Sequence, residues 1–202
     1  MGAAAPRDAG SPPGPPIWVL AGPSGSGKTT LANALVDRSG GLVRRARTCT
    51  TREPRPGEVS GVDYTFVSAE EFQRLADSGA LVEETTYGGN RYGVPVSEIP
   101  PDREVLVVVD PPGIRHLRSR FGGARVVAIC LSGYSETDLA ARLVGRGADP
   151  GEIEARLRNL AAEAAALDGV CDFRVAPGAP EDVLGAVEEL MRRVRGRSSR
   201  PL

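Results

Sequence analysis

Apolar residues in this chain occur in two recurring patterns, unbroken runs of about five and longer stretches spaced at three and four. Ile17-Trp18-Val19-Leu20-Ala21 and Val105-Leu106-Val107-Val108-Val109 have no polar member, which predicts strands covered on both faces of a parallel sheet. Residues 125–131 read the same way, and a short strand is predicted at 173–175. Helical spacing marks 29–36, with Leu31, Ala32, Ala34 and Leu35 on one face and Gly40-Gly41 beyond its end. It returns through Leu139 and Leu143, and again over 181–194. Asp149-Pro150-Gly151-Glu152 is a helix start, with Asp149 as cap and Pro150 in the first turn. One helix carrying Ile153, Leu157, Leu160 and Leu167 is expected to follow it.

The middle of the chain breaks this rhythm. Residues 44–62 are basic and rich in Thr, Pro and Gly, predicting an extended segment and a loop. Tyr64-Thr65-Phe66-Val67 reads as a strand. Ser68-Ala69-Glu70-Glu71 is a capping box for a helix ending at Gly79. Two short strands at 81–86 and 91–94 flank Gly88-Gly89-Asn90, a hairpin signal. The organisation is therefore α/β, with a small strand-rich insertion at about 47–96. The Pro- and Gly-rich residues 1–16 predict a disordered tail, and the basic residues 195–202 a frayed end, leaving 17–194 as one domain.

Composition narrows the function classes. With 41% hydrophobic and 25% charged residues and a formal net charge of -1, the chain reads as an ordinary soluble protein. No general attraction to nucleic acid or membrane follows from that charge. No apolar run approaches the roughly 20 residues that span a bilayer, and the first 16 residues lack a secretory layout. Cys49, Cys130 and Cys171 are widely spaced and odd in number, predicting reduced thiols and a cytoplasmic protein. Oligomeric state is expected to be monomer or small homo-oligomer. Of the 25 basic residues one is lysine and the remaining 24 are arginine. In so arginine-biased a chain, Lys28 marks a position where a compact ammonium matters.

Lys28 lies in Gly22-Pro23-Ser24-Gly25-Ser26-Gly27-Lys28-Thr29, which satisfies G-x-x-x-x-G-K-[ST] between a strand and a helix. Glycines let backbone N–H groups close around phosphate oxygens, and the following helix directs its positive end at them. The candidate nucleotide-binding residues are Gly22, Ser24, Gly25, Ser26, Gly27, Lys28, Thr29 and Thr30. Lys28 is placed to reach the β- and γ-phosphates of ATP, and the Thr29 hydroxyl to bind Mg²⁺. The fold class is thus a P-loop NTPase three-layer fold with a parallel central sheet. The motif alone does not name the reaction.

A second phosphate-sized set lies downstream. Arg52 and Arg55 sit three apart in a Pro- and Gly-rich segment, with Glu58 nearby and Tyr64 six residues further on. Guanidinium forks match phosphate oxygens, and a phenol adds a donor. A solvated surface loop would have a similar composition. Here 48–66 resembles the acceptor region of the guanylate kinase family, which reads roughly [ST]-x-T-T-R-x-P-R-x-G-E-x-x-G-x-x-Y-x-F. The resemblance continues through Leu81-Val82-Glu83 and Gly89-Asn90-Arg91-Tyr92-Gly93, and covers most of 17–194.

That resemblance implies an ATP-dependent kinase acting on a phosphorylated small molecule, GMP above others. It implies acceptor-phosphate contacts from Arg52, Arg55, Tyr64 and Tyr92. Glu83 would accept from the guanine N1–H and 2-amino groups, Thr48 would meet the base edge, and Glu58 would join the same network. It also implies an arginine-rich lid at about 142–156, in which Arg142, Arg146 and Arg156 act with Lys28 on the transferred phosphoryl group. Asp110 would serve the Mg²⁺ shell or the acceptor site.

Three positions depart from the family. The family's Asp-x-Asp-x-Gln-Gly is Val108-Val109-Asp110-Pro111-Pro112-Gly113 here, Val94 replaces a Ser or Thr near the base, and Ala176 stands where an Asn near adenine is expected. These leave open a paralogue acting on another nucleotide or on a sugar phosphate such as ribose 1,5-bisphosphate. A non-catalytic binding module is a third reading, against which the intact Lys28-Thr29 counts. His116, the single histidine, reads as a surface residue.

Overall fold

In a computed structural model, which describes residues 14–198 except 56 and 146, and not the side chains of residues 87, 152, 156, 197 and 198, the first apolar run forms β1 (Ile17–Ala21). All five of its residues are buried. It lies at the centre of a five-stranded parallel sheet with β2 (Val43–Arg45), β7 (Glu104–Val108), β8 (Val126–Leu131) and β9 (Phe173–Val175), in the order β2-β7-β1-β8-β9. Alternation along β1 sends Ile17, Val19 and Ala21 into one core cluster and Trp18 and Leu20 into another. The sheet is therefore covered on both faces, as its unbroken apolar strands require.

Helix α1 (Lys28–Arg38) follows the loop after β1 and buries Leu31, Ala32 and Leu35. A second sheet has the order β4-β3-β6-β5, from β3 (Cys49–Thr50), β4 (Thr65–Phe66), β5 (Leu81–Tyr87) and β6 (Asn90–Pro95). Helix α2 (Ala69–Asp77) packs on it through the fully buried Phe72 and is capped by the Ser68 side chain, which accepts from the Glu71 N–H. Helix α3 (Pro111–Phe121) begins where β7 ends, and its capping residue Asp110 accepts from the Gly113 N–H at 2.9 Å. Helix α4 (Glu136–Val144) starts with a reciprocal Ser135–Asp138 capping box. Helices α5 (Pro150–Arg158), α6 (Leu160–Ala166) and α7 (Pro180–Ser198) complete the chain.

Several expectations are corrected. The helix predicted from Asp149 to Leu167 is two helices, broken at Asn159. Leu157 and Leu160, one on each side of the break, pack against one core cluster, and Leu167, which caps the end of α6, is buried in the other, on the opposite side of the sheet. The extended part of 44–62 is present as the end of β2, which begins at Val43, and as β3, both paired with strands remote in sequence. Of the end expected to be frayed, residues 195–198 are helical and 199–202 lie outside the described residues. Arg195 forms a bidentate pair with Glu104, and Glu104 also accepts from the Trp18 indole at 2.7 Å. The tail boundary also moves, because the Pro15 carbonyl accepts from Arg125 and the Pro16 carbonyl from Val105; residues 1–13 lie outside the described residues. Cys130 and Cys171, expected as free thiols, form a disulfide. Their 41-residue separation hides a proximity that comes from the pairing of β8 with β9. Cys49 is a buried free thiol. No helix among the described residues is long and apolar enough to cross a membrane.

Candidate active site

The carboxyl ends of β1, β2 and β7 open into one cleft of about 350 Å³, and the second sheet closes its far side. Parallel α/β sheets bind ligands at this end of their strands. The glycine-rich loop enters from β1. Gly22, Gly25 and Gly27 have φ of 149°, 83° and 92°, a region that L side chains disfavour. A Cβ on Gly22 would also lie 2.7 Å from the Leu131 carbonyl oxygen. Gly27 occupies the cap position of α1 without offering a side-chain acceptor, and the first turn holds no acidic residue. The helix thus presents its backbone N–H groups and positive end to the cleft.

The loop's other members divide between lining and support. Gly22, Ser24, Gly25, Gly27, Lys28 and Thr29 line the cleft. Lys28 Nζ donates to the Gly22 and Pro23 carbonyls, each at 2.8 Å, and so lies folded over the loop. Ser26 is buried and supports from below: its carbonyl accepts from the Tyr134 hydroxyl at 3.0 Å and from Arg142 at 3.3 Å. Thr30 is exposed on α1 and does not line the cleft. Arg142, in the last turn of α4, has its guanidinium 5.0 Å from the Tyr134 ring centre and does not line the cleft. Arg146 and the Arg156 side chain lie outside the described residues.

On the opposite wall, Thr48, Arg52, Arg55, Tyr64, Glu83 and Tyr92 line the same cleft. Arg52 Nη2 donates to both Glu58 oxygens at 2.9 Å, and Glu58 also accepts from the Arg55 N–H. Glu58 therefore acts behind the wall, fixing the arginine loop. Tyr64 and Tyr92 meet edge to face at 6.3 Å, and Arg52 stands 5.3 Å over the Tyr64 ring. Burial and the neighbouring Tyr92 raise the Tyr64 pKa, while Arg45 and then Arg52 draw it back.

Glu83 is the most perturbed group of the site. It is buried, and one of its carboxylate oxygens has no hydrogen-bond partner. Burial, followed by the charges of Asp110 and Glu84, pushes its pKa up to about 8. A buried acceptor without a donor is costly unless a ligand satisfies it. Asp110 lines the cleft beside it, with one oxygen committed to capping α3.

A family model described as guanylate kinase matches residues 15–193. The chain belongs to the guanylate kinase family. The chain is 40% identical over 174 residues to the guanylate kinase of Streptomyces coelicolor, covering 81% of this chain and 86% of that protein. With the guanylate kinase of Gloeobacter violaceus identity is 38% over 193 residues, 92% of each chain. The crystal structure of guanylate kinase from Anaplasma phagocytophilum superimposes with a TM-score of 0.72 at 27% identity, over 90% of this chain and 86% of that one. This member of the family is an ATP-dependent kinase.

In this guanylate kinase-family chain the substituted positions fall unequally. Val108 lines the cleft, Pro112 is exposed in the first turn of α3, and Val94 is fully buried in the core and is not a lining residue. Arg45, Thr85, Pro111 and Glu163 line the cleft without having been singled out in the sequence. Alternation along β5 places Thr85 on the same face as Glu83, which was a usable signal. Glu163 gave none. Its carboxylate accepts from the Ser24 N–H at 3.1 Å across 139 residues of sequence.

Proposed function

We propose that this chain transfers the γ-phosphoryl group of ATP to GMP, giving ADP and GDP. The observation that carries the reading is the single cleft, with the Lys28–Thr29 loop on one wall and the Arg52, Tyr64 and Glu83 constellation on the other. An in-line transfer needs both phosphates in one water-poor space, with positive charge around them and no covalent intermediate. The acceptor phosphate is ionised at neutral pH, so no general base is required.

On the donor side, the loop N–H groups and the start of α1 bind the nucleotide phosphates. Lys28 exchanges its two carbonyl partners for β- and γ-phosphate oxygens. Arg142 steadies the loop through the Ser26 carbonyl. A smaller hollow of about 230 Å³ adjoins the loop at Pro23 and is lined by Ser132, Tyr134 and Leu160; its largely apolar wall suits the donor base. The Thr29 hydroxyl and the Asp110 carboxylate are hard oxygen ligands on the same cleft, a set that suits Mg²⁺. When bound, the ion neutralises charge on the phosphates.

On the acceptor side, Arg52, Arg55, Tyr64 and Tyr92 hold the GMP phosphate, while Glu83 and Thr48 read the base. A carboxylate facing the paired N1–H and 2-amino donors distinguishes guanine from adenine, which has no such pair. The unpartnered oxygen of Glu83 is the observation that favours GMP over a sugar phosphate. The test is turnover of Mg·ATP with GMP, IMP, AMP and ribose 1,5-bisphosphate, with product identified. GDP and ADP in equal amounts, with GMP well ahead of IMP, is the expected result. Faster turnover of AMP or of the sugar phosphate overturns the assignment.

A further inference from the structure

Three arginines lie within four residues at and just beyond β2, and two of them are neutralised. Arg44 donates to Glu98 at 2.6 Å, and Arg47 lies 3.3 Å from the other oxygen of the same carboxylate. Arg47 also donates to the Gly61 carbonyl. Arg45 has no carboxylate partner among the described residues. Its guanidinium donates instead to Asn33 Oδ1, a neutral amide on α1, the helix that Lys28 and Thr29 begin.

Strand alternation turns Arg45 away from Arg44 and Glu98, toward α1 and the cleft that it lines with Lys28, Thr29, Arg52 and Tyr64. Its charge acts on the Tyr64 phenol ahead of that of Arg52. Arg52 is already compensated by Glu58. A half-buried guanidinium held by a neutral group between two phosphate-binding walls keeps its full charge for an anion. Core packing does not require arginine here, because β2 is an edge strand and the Arg45 side chain is partly exposed.

We propose that Arg45 is a further substrate-binding residue, whose guanidinium grips the acceptor phosphate from the side facing the glycine-rich loop while Asn33 fixes its orientation. This rests on the acceptor site proposed above. Arg45 supplies the uncompensated positive charge on the loop side, and Arg52 and Arg55 bind from the other.

The test is steady-state kinetics and equilibrium binding for R45Q, R45K and R52Q. R45Q is expected to raise KM for GMP about 10- to 100-fold, leaving KM for ATP within about two-fold and thermal stability unchanged. It should also narrow the affinity gap between GMP and guanosine by the same factor, which a merely structural residue would not do. R45K should recover only part of the loss, since an ammonium keeps the charge without the fork. If R45Q leaves KM for GMP within two-fold while R52Q raises it, the role of Arg45 is overturned and the acceptor site stands. If R52Q is equally silent, the acceptor site itself is misassigned, and the role of Arg45 falls with it. A loss confined to KM for ATP overturns the proposal as well.

Discussion

Replacing Glu83 by glutamine keeps the side-chain shape and removes a carboxyl group that folding pushes up to about 8 from an ordinary 4.5, through burial and then the charges of Asp110 and Glu84. A carboxyl raised in the folded state holds its proton there longer than in the unfolded chain. Between pH 4.5 and 8 the folded protein therefore binds the extra proton, and stability falls as pH rises; above 8 the loss is complete and constant. At about 1.4 kcal/mol for each pH unit of that interval, the loss amounts to roughly 5 kcal/mol. Glu83→Gln does not suffer this loss. Thermal unfolding of both proteins at pH 5, 7 and 9 isolates the effect, because every other titrating group is shared. About 4 kcal/mol of that loss falls between pH 5 and 9, so the variant should gain on the wild type by about 8–16 °C over that range, at about 2–4 °C per kcal/mol for a chain of this size. The ligand side follows the same sign. Guanine donors select the ionised carboxylate, so GMP must displace the proton below pH 8, and wild-type affinity should improve as pH rises toward 8. The variant should lose about 100-fold or more in kcat/KM for GMP, two charge-assisted hydrogen bonds being weakened or broken. Unfolding curves that stay parallel at all three pH values would refute the argument.

Four further outcomes are expected. Lys28→Met should cut turnover by about 10²–10³-fold with ATP still bound, as rapid-quench kinetics beside equilibrium ATP binding would show. Gly113→Ala places a Cβ 2.8 Å from Val109 Cβ and 3.2 Å from Glu83 Cδ, so urea unfolding should register a loss of about 1–3 kcal/mol, together with weaker GMP binding. Glu104→Ala removes the acceptor of the Trp18 indole and the bidentate partner of Arg195 and should cost about 2–4 kcal/mol in the same assay. Reducing the Cys130–Cys171 bridge, which closes a loop of 41 residues, should lower stability by about 4 kcal/mol; an unfolding midpoint indifferent to reductant would contradict the pairing.

The parallel sheet was readable because its strands are covered on both faces, and unbroken apolar runs such as Val105-Leu106-Val107 leave little else to build. The glycine-rich loop was readable because its spacing is local. Features set by remote partners were not. β2 and β3 are two or three residues long and are strands only because β7 and β6 pair with them. The break at Asn159 leaves no mark in the apolar spacing, because Leu157 and Leu160 on either side of it pack against the same core cluster. At the site, the family resemblance named Arg52, Tyr64 and Glu83, but Arg45 and Glu163 enter the cleft only through folding. Val94 illustrates the converse. Its place in the sequence pointed to the base, and the fold buries it in the core.

That one cleft holds both nucleotides is tested most directly with a bisubstrate analogue, adenosine and guanosine joined through a chain of phosphates. Measured against each substrate in turn, it should inhibit competitively with ATP and with GMP and bind at one molecule per chain. Competition with ATP alone, or binding at two molecules per chain, would contradict a shared cleft and with it the direct transfer between the Lys28 and Arg52 walls.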